Sequence, residues 1–155
     1  MSASTIPDII ETALETGSAD ELLNATIRHF ACHAGTIHQL TAAGDLQLIA
    51  HSGIPPAVVQ IVRTVPIGKG IAGLSAQRRE PVTICNLQTD VSGQVRPGAK
   101  ATGMEGSIAV PMLVDGGQLR GVLGIAKATA YDWSAEETAT LIAIAARLGE
   151  RLAPL

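Results

Sequence analysis

With 155 residues, 46% of them apolar, the chain has the size and composition of one globular domain with a core of its own. A formal net charge of −3, the lack of any run of Lys or Arg, and a single Phe, Tyr and Trp exclude a nucleic-acid surface, which needs clustered cations or stacking rings. No apolar stretch approaches the roughly 20 residues of a membrane span. Acidic Asp8 and Glu11 stand where a secretory leader would be basic and then apolar, and two cysteines, Cys32 and Cys85, are too few for a disulfide framework. A cytoplasmic location is expected.

Residues 7–15 read as a short helix with Ile9, Ile10, Ala13 and Leu14 on one side, stopped by Gly17. Ser18 and Glu21 form a capping-box pattern for a second helix carrying Leu22, Leu23, Ile27 and Phe30 and ending near Gly35. We divide the chain into an N-terminal helical extension, 1–17, and a domain, 18–155. Strands are expected at 36–41 and 46–52 around the turn Ala43-Gly44-Asp45. Pro56 then opens a short helix reaching Val62, while Thr64-Val65-Pro66 is a poor strand. A glycine-rich stretch after Pro66 opens another helix ending near Arg79, and 81–85 reads as a brief strand.

Residues 86–103 show no apolar periodicity and are rich in Thr, Asp, Ser, Gly and Pro. A loop of that length inside a compact domain is usually functional. Strong strand signals return at 107–114 and 118–126, joined by Asp115-Gly116-Gly117. Ser134 and Glu137 cap a terminal helix with Leu141, Ile142, Ala145, Leu148 and Leu152 on one broad stripe and Arg147, Glu150 and Arg151 facing away. Consecutive hairpins between first and last helices predict an α+β fold: a mostly antiparallel sheet with the terminal helices on one face and loops and short helices over the other.

The loop at 85–105 is the strongest functional feature. Asp90, Arg96, Lys100 and Glu105 place both charge signs in one turn-rich segment that also holds Met104, with Cys85 at its start. Such a loop on a rigid sheet suits a small polar or anionic ligand, with Arg96 the natural partner of a planar acid; the alternative is a solvated loop whose charges pair among themselves. His38 and His51 lie on adjacent expected strands, either as a pocket floor or as an exposed pair. Cys85 is reactive only if Arg96 or Lys100 lowers its pKa, and is otherwise a spectator thiol.

His29 and His33, four apart beside Cys32, have a spacing that suits a metal, but equally suit a helix C-terminus, where cations meet the dipole. Neither metal nor cofactor is expected. Gly68-Lys69-Gly70-Ile71-Ala72-Gly73 satisfies G-x-G-x-x-G without the buried parallel strand a dinucleotide needs. It reads instead as a turn that lets a helix N-terminus pack closely and offer its amides to an anion.

Several of these patterns, in this order, resemble the GAF domain family: Ala34-Gly35-Thr36-Ile37, the stretch from Val65 to Gly73, Ser107-Ile108-Ala109-Val110-Pro111, Gly121-Val122-Leu123-Gly124-Ile125 and the helix opened by Trp133-Ser134-Ala135-Glu136-Glu137. The resemblance covers about 22–152. It implies a small molecule held between the sheet and its covering loop, and a stand-alone regulatory domain that dimerises through its terminal helices and signals through a partner protein. The stretches at 66–73 and 107–111 also resemble free methionine-(R)-sulfoxide reductase, a GAF-fold enzyme using cysteine chemistry. Where that family has a cysteine before the last glycine of the first stretch, this chain has Ala72, and no cysteine follows Cys85. A thiol mechanism needs a nucleophile with a resolving partner nearby, so binding is the expected function, with reduction the first alternative and a dimerisation or interaction module without ligand the second.

Overall fold

The structure, a computed structural model, describes residues 6–92, 94–95 and 97–152. Two helices, α1 (Asp8–Thr16) and α2 (Ala19–His29), precede the hairpin of β1 (Ala34–Leu40) and β2 (Asp45–Ser52). Then come α3 (Pro56–Val62), β3 (Thr64–Pro66), α4 (Gly70–Arg78) and β4 (Val82–Ile84). The one-turn helix α5 (Pro97–Lys100) lies in the long loop, and the hairpin of β5 (Ser107–Val114) and β6 (Gln118–Ala126) leads into α6 (Ala135–Arg151). The strands form one six-stranded sheet in the order β3-β2-β1-β6-β5-β4, antiparallel at every pairing.

The period of two along each strand sorts side chains between two layers. Ile37, Ile108, Val110, Met112, Leu123 and Ile125 point to one face, where they pack against Ile10 and Leu14 of α1, Leu22 and Leu23 of α2, and Leu141, Ile144 and Leu148 of α6. Leu46, Val65, Ala109 and Val122 point to the other, against Ala76 of α4 with Ile67 and Ile71 beside it. This is the expected α+β arrangement, with the terminal helices on one face of the sheet.

Both capping boxes form: Ser18 Oγ accepts from Glu21 N while Glu21 accepts from Ser18 N, and Ser134 and Glu137 repeat the pattern on α6. Three local expectations differ. The second helix stops at His29 rather than near Gly35, because Ala31 turns left-handed (φ 53°) and the Lys127 ammonium takes the carbonyls of Phe30 and Ala31. Thr64–Pro66 does pair, as an edge strand on β2, where a proline without an N–H is tolerated. Arg147 and Arg151 do not face away. Arg147 pairs with Glu11 at 2.7 Å, and Arg151 donates to the carbonyls of Ala13 and Gly17, so the end of α6 holds the end of α1. No helix among the described residues is long and apolar enough to cross a membrane.

Candidate functional site

Where the sheet meets α3, α4 and the long loop it encloses a cavity of about 160 Å³. Strand register explains why space remains there. Ala34 lies opposite Ala126, Thr36 opposite Gly124, and Gly124 opposite Ala109, so three adjacent strands present small side chains to the same patch. On the opposite face the intervening positions, Ile37, Leu123 and Ile108, are large and buried. A floor of Ala, Gly and Thr leaves a void that the layer above does not fill.

The walls are aliphatic. Val58, Ile61 and Val62 of α3 close one side, with Ile54 ahead of them; Val65 and Ile71 close the next; Leu87, Ala99, Thr102 and Met104 of the loop form the roof. The roof is tied down by its own polar groups. Gln88 Nε2 donates to the carbonyls of Lys100 and Met104, and the backbone of Leu87 and Glu105 joins it to the sheet through Lys127. Thr102 Oγ1 is occupied too, donating to Ala99 O and accepting from Met104 N.

Polar character enters at two places. The first is the start of α4. Gly68 and Gly70 take positive φ (88° and 68°), and a Cβ on Gly73 would lie 2.5 Å from Pro66 O, so the three glycines set the turn and its close packing. The first intrahelical bond runs from Gly73 N to Lys69 O; no side chain caps the helix; and Lys69, Gly70, Ile71 and Ala72 all line the cavity. The G-x-G-x-x-G pattern therefore serves the helix N-terminus, as the turn reading anticipates.

The second is His38, only 2% exposed. Its Nε2 lies 2.8 Å from Val62 O, which accepts, so Nε2 carries the proton and Nδ1 is a lone-pair acceptor without a partner. Burial holds this imidazole below its usual 6.5, opposed only by the Val62 bond, and keeps it neutral.

Of the residues singled out from sequence, His38 and Met104 line the cavity. His51 is exposed and pairs with Thr36, while His38 pairs with Leu48, so the two imidazoles do not face each other. Asp90 accepts from Ser92 N and Oγ, Lys100 Nζ reaches Asp90 O at 3.5 Å, and Glu105 lies 3.5 Å from Asn86 Nδ2; none of the three lines the cavity. Arg96 lies outside the described residues. Cys85 is exposed, and its surroundings are acidic: the nearby Asp132 carboxylate raises its pKa. Cys32 is pushed up to about 11, chiefly by burial. His33 is off the helix, its Nδ1 accepting from Ala128 N, and the described residues contain no group of three or more His, Cys, Asp or Glu placed to hold a metal.

Sequence reasoning missed Lys69, the α3 wall and the small-residue floor. The signal for α3 was present: Val58, Val59, Ile61 and Val62 are more apolar surface than a seven-residue helix buries on one side, and Ile61 stays 55% exposed at the cavity mouth.

Residues 12–152 match the family model of the GAF domain. The chain belongs to the GAF domain family. Among solved structures, the GAF domain of an Acinetobacter phosphoenolpyruvate-protein phosphotransferase is 20% identical over 91% of this chain and 86% of its own, with a TM-score of 0.75. The GAF domain of the corresponding Coxiella burnetii protein is 20% identical over 92% and 89%, with a TM-score of 0.74. Free methionine-R-sulfoxide reductase from Neisseria meningitidis, in complex with its substrate, is 18% identical over 92% and 83%, with a TM-score of 0.71. At these identities the likeness establishes the fold. No curated protein sequence matches the chain significantly.

Proposed function

We propose that this GAF domain is a non-catalytic regulatory module that binds a small molecule in the cavity under the loop and passes its state to a partner protein. The observation that carries the reading is the cavity itself, about 160 Å³ between a small-residue floor and a roof pinned by Gln88. A concave, mostly apolar site with few polar groups is the usual form of a ligand pocket. Its size favours a compact effector: an engineered cavity of about 150 Å³ takes benzene, so roughly six to nine non-hydrogen atoms fit here.

Absence of a thiol from the lining supports binding over reduction. Ala72 lines the cavity, and neither Cys32 nor Cys85 does. Homodimerisation through the terminal helices is part of the same reading, supported by the exposure of Ile9 on α1 and Ile142 on α6, at 59% and 39%. Ile142→Glu is the probe for that interface, because Ile144 and Leu148 are buried in the core and charging them would unfold the domain.

The decisive experiment is a thermal-shift screen of the chain against a broad metabolite set, repeated with Ala72→Phe to fill the cavity. A ligand at one hundred times its Kd stabilises by about 2.7 kcal/mol. A hit abolished by Ala72→Phe supports the reading; a screen in which nothing moves the wild-type melting temperature ends it. Turnover of free methionine sulfoxide that disappears in Cys85→Ser would replace it with the reductase.

A further inference from the structure

Resting on that binding reading, we infer that the cavity takes an uncharged aliphatic molecule of about six to nine non-hydrogen atoms carrying one hydroxyl. This is not the polar or anionic effector that the charges of the loop suggest. What the enclosing residues can and cannot solvate decides the class.

The walls supply dispersion and little else. Val58, Ile61, Val65, Ile71, Leu87 and Met104 surround the space on several sides, and exposed Ile61 keeps the mouth apolar. A branched chain of about five to eight carbons matches both the volume and the lining.

Charge on the ligand is disfavoured. Among the described residues the lining holds no Asp, Glu or Arg, and its one charged side chain, Lys69, is exposed, where water solvates the ammonium. Thr102 Oγ1 is satisfied by Ala99 O and Met104 N, and His38 Nε2 by Val62 O, while His38 Nδ1 has no accessible surface. An ionised group would therefore lose its water against hydrocarbon. Stripping that water without a buried counter-charge weakens binding about a thousandfold or more. The positive end of α4 returns at most about thirtyfold to an anion and nothing to a cation, so desolvation wins.

Thr36 selects the single oxygen. It stands opposite Gly124 on the floor, and its Oγ1 leans over that glycine, 3.4 Å from where a Cβ would be. Thr36 is half-buried and lines the cavity, and its hydroxyl bonds no group among the described residues. A neutral ligand hydroxyl both donates and accepts, so it meets Thr36 in either sense without bringing a charge.

Calorimetric titration of the full chain with four compounds of one shape tests this: 3-methylbutan-1-ol, 1-chloro-3-methylbutane, 3-methylbutanoate and 3-methylbutan-1-amine. The alcohol and the chloride are expected to bind, with the ionised acid and amine at least about tenfold weaker than the alcohol. Adding a methylene, as in 4-methylpentan-1-ol, is expected to tighten binding about fourfold, and the gain stops beyond about nine non-hydrogen atoms. Thr36→Val, which keeps the shape and removes the hydroxyl, is expected to weaken the alcohol about fivefold and leave the chloride unchanged. Ala72→Phe is expected to abolish both.

Acid or amine binding equal to or tighter than the alcohol overturns the inference, a comparison that needs no variant to fold. So does alcohol binding indifferent to the added methylene, or alcohol binding that survives Ala72→Phe. Thr36→Val that weakens alcohol and chloride alike, or neither, also overturns it, as does silence from both compounds. The metabolite screen decides separately whether the cavity binds anything, so the two readings fail independently.

Discussion

Lys127 is the cation on which the helical layer and the base of the loop converge, and its removal gives a sharp test of the structure. The residue is 9% exposed. Its ammonium donates to Phe30 O and, at 3.4 Å, to Ala31 O, and lies 4.4 Å from the Tyr131 ring centroid and 5.5 Å from that of Trp133. Its backbone bonds Glu105 and Gly106, where the loop returns to the sheet, and Tyr131 in turn bonds Glu137, the capping residue of α6. Lys127→Met keeps most of the stem and deletes the charge. A hydrogen bond from a charged donor contributes about 1.5–3 kcal/mol, and a desolvated cation–π contact up to about 2.

Met packing and water reaching the freed carbonyls return part of that, so the expected net loss is about 3 kcal/mol, or about 6–12 °C in Tm for a domain of this size. Urea unfolding followed by the fluorescence of Trp133, the single tryptophan, is the assay. The midpoint should fall with an unchanged slope, because the change alters stability and not the surface exposed on unfolding. A loss below about 1 kcal/mol, with the Trp133 spectrum unmoved, would refute a clamp at this position.

Four further outcomes follow from other groups. His38 has its pKa lowered by burial, so the unfolded chain binds the proton more readily; the stability this contributes is present above about 6.5 and is lost as pH falls through the folded value. Acidification should cost at most about 1.4 kcal/mol per pH unit from this group, and folded His38→Gln should flatten that part of the urea-midpoint profile. Thiol labelling near pH 8 should modify exposed Cys85 well before half-buried Cys32, and Asp132→Ala should accelerate Cys85 by removing the carboxylate that raises its pKa; equal rates in the two proteins would contradict that influence. Arg151→Ala should cost about 1–3 kcal/mol and raise hydrogen exchange in α1, since it takes the guanidinium from Gly17 O and leaves Ala13 O with the Gly17 amide alone. Glu11→Ala, which breaks an ion pair whose partners are about 40% and 37% exposed, should cost below about 1 kcal/mol.

What the sequence determined by itself were features governed by neighbours along the chain. Ser18 with Glu21, Ser134 with Glu137, the turn at Gly116-Gly117 and the bounds of the last hairpin depend on contacts within a few residues, so periodicity and turn chemistry locate them. The α+β order, the helical core face and the resemblance to the GAF family rest on the same signals.

The site depended on register and on partners distant in sequence. That Thr36 meets Gly124 and Gly124 meets Ala109 is set by pairing among β1, β6 and β5, and only this pairing gathers small residues into a cavity floor. Charge along the loop drew the eye to Asp90, Lys100 and Glu105, but their bonds to Ser92, Asp90 O and Asn86 run within the loop and its base. The end of α2 was likewise set by Lys127, 97 positions away from Phe30 in the chain. Local propensity carries no record of such partners, because the energy that decides them exists only once the sheet has closed.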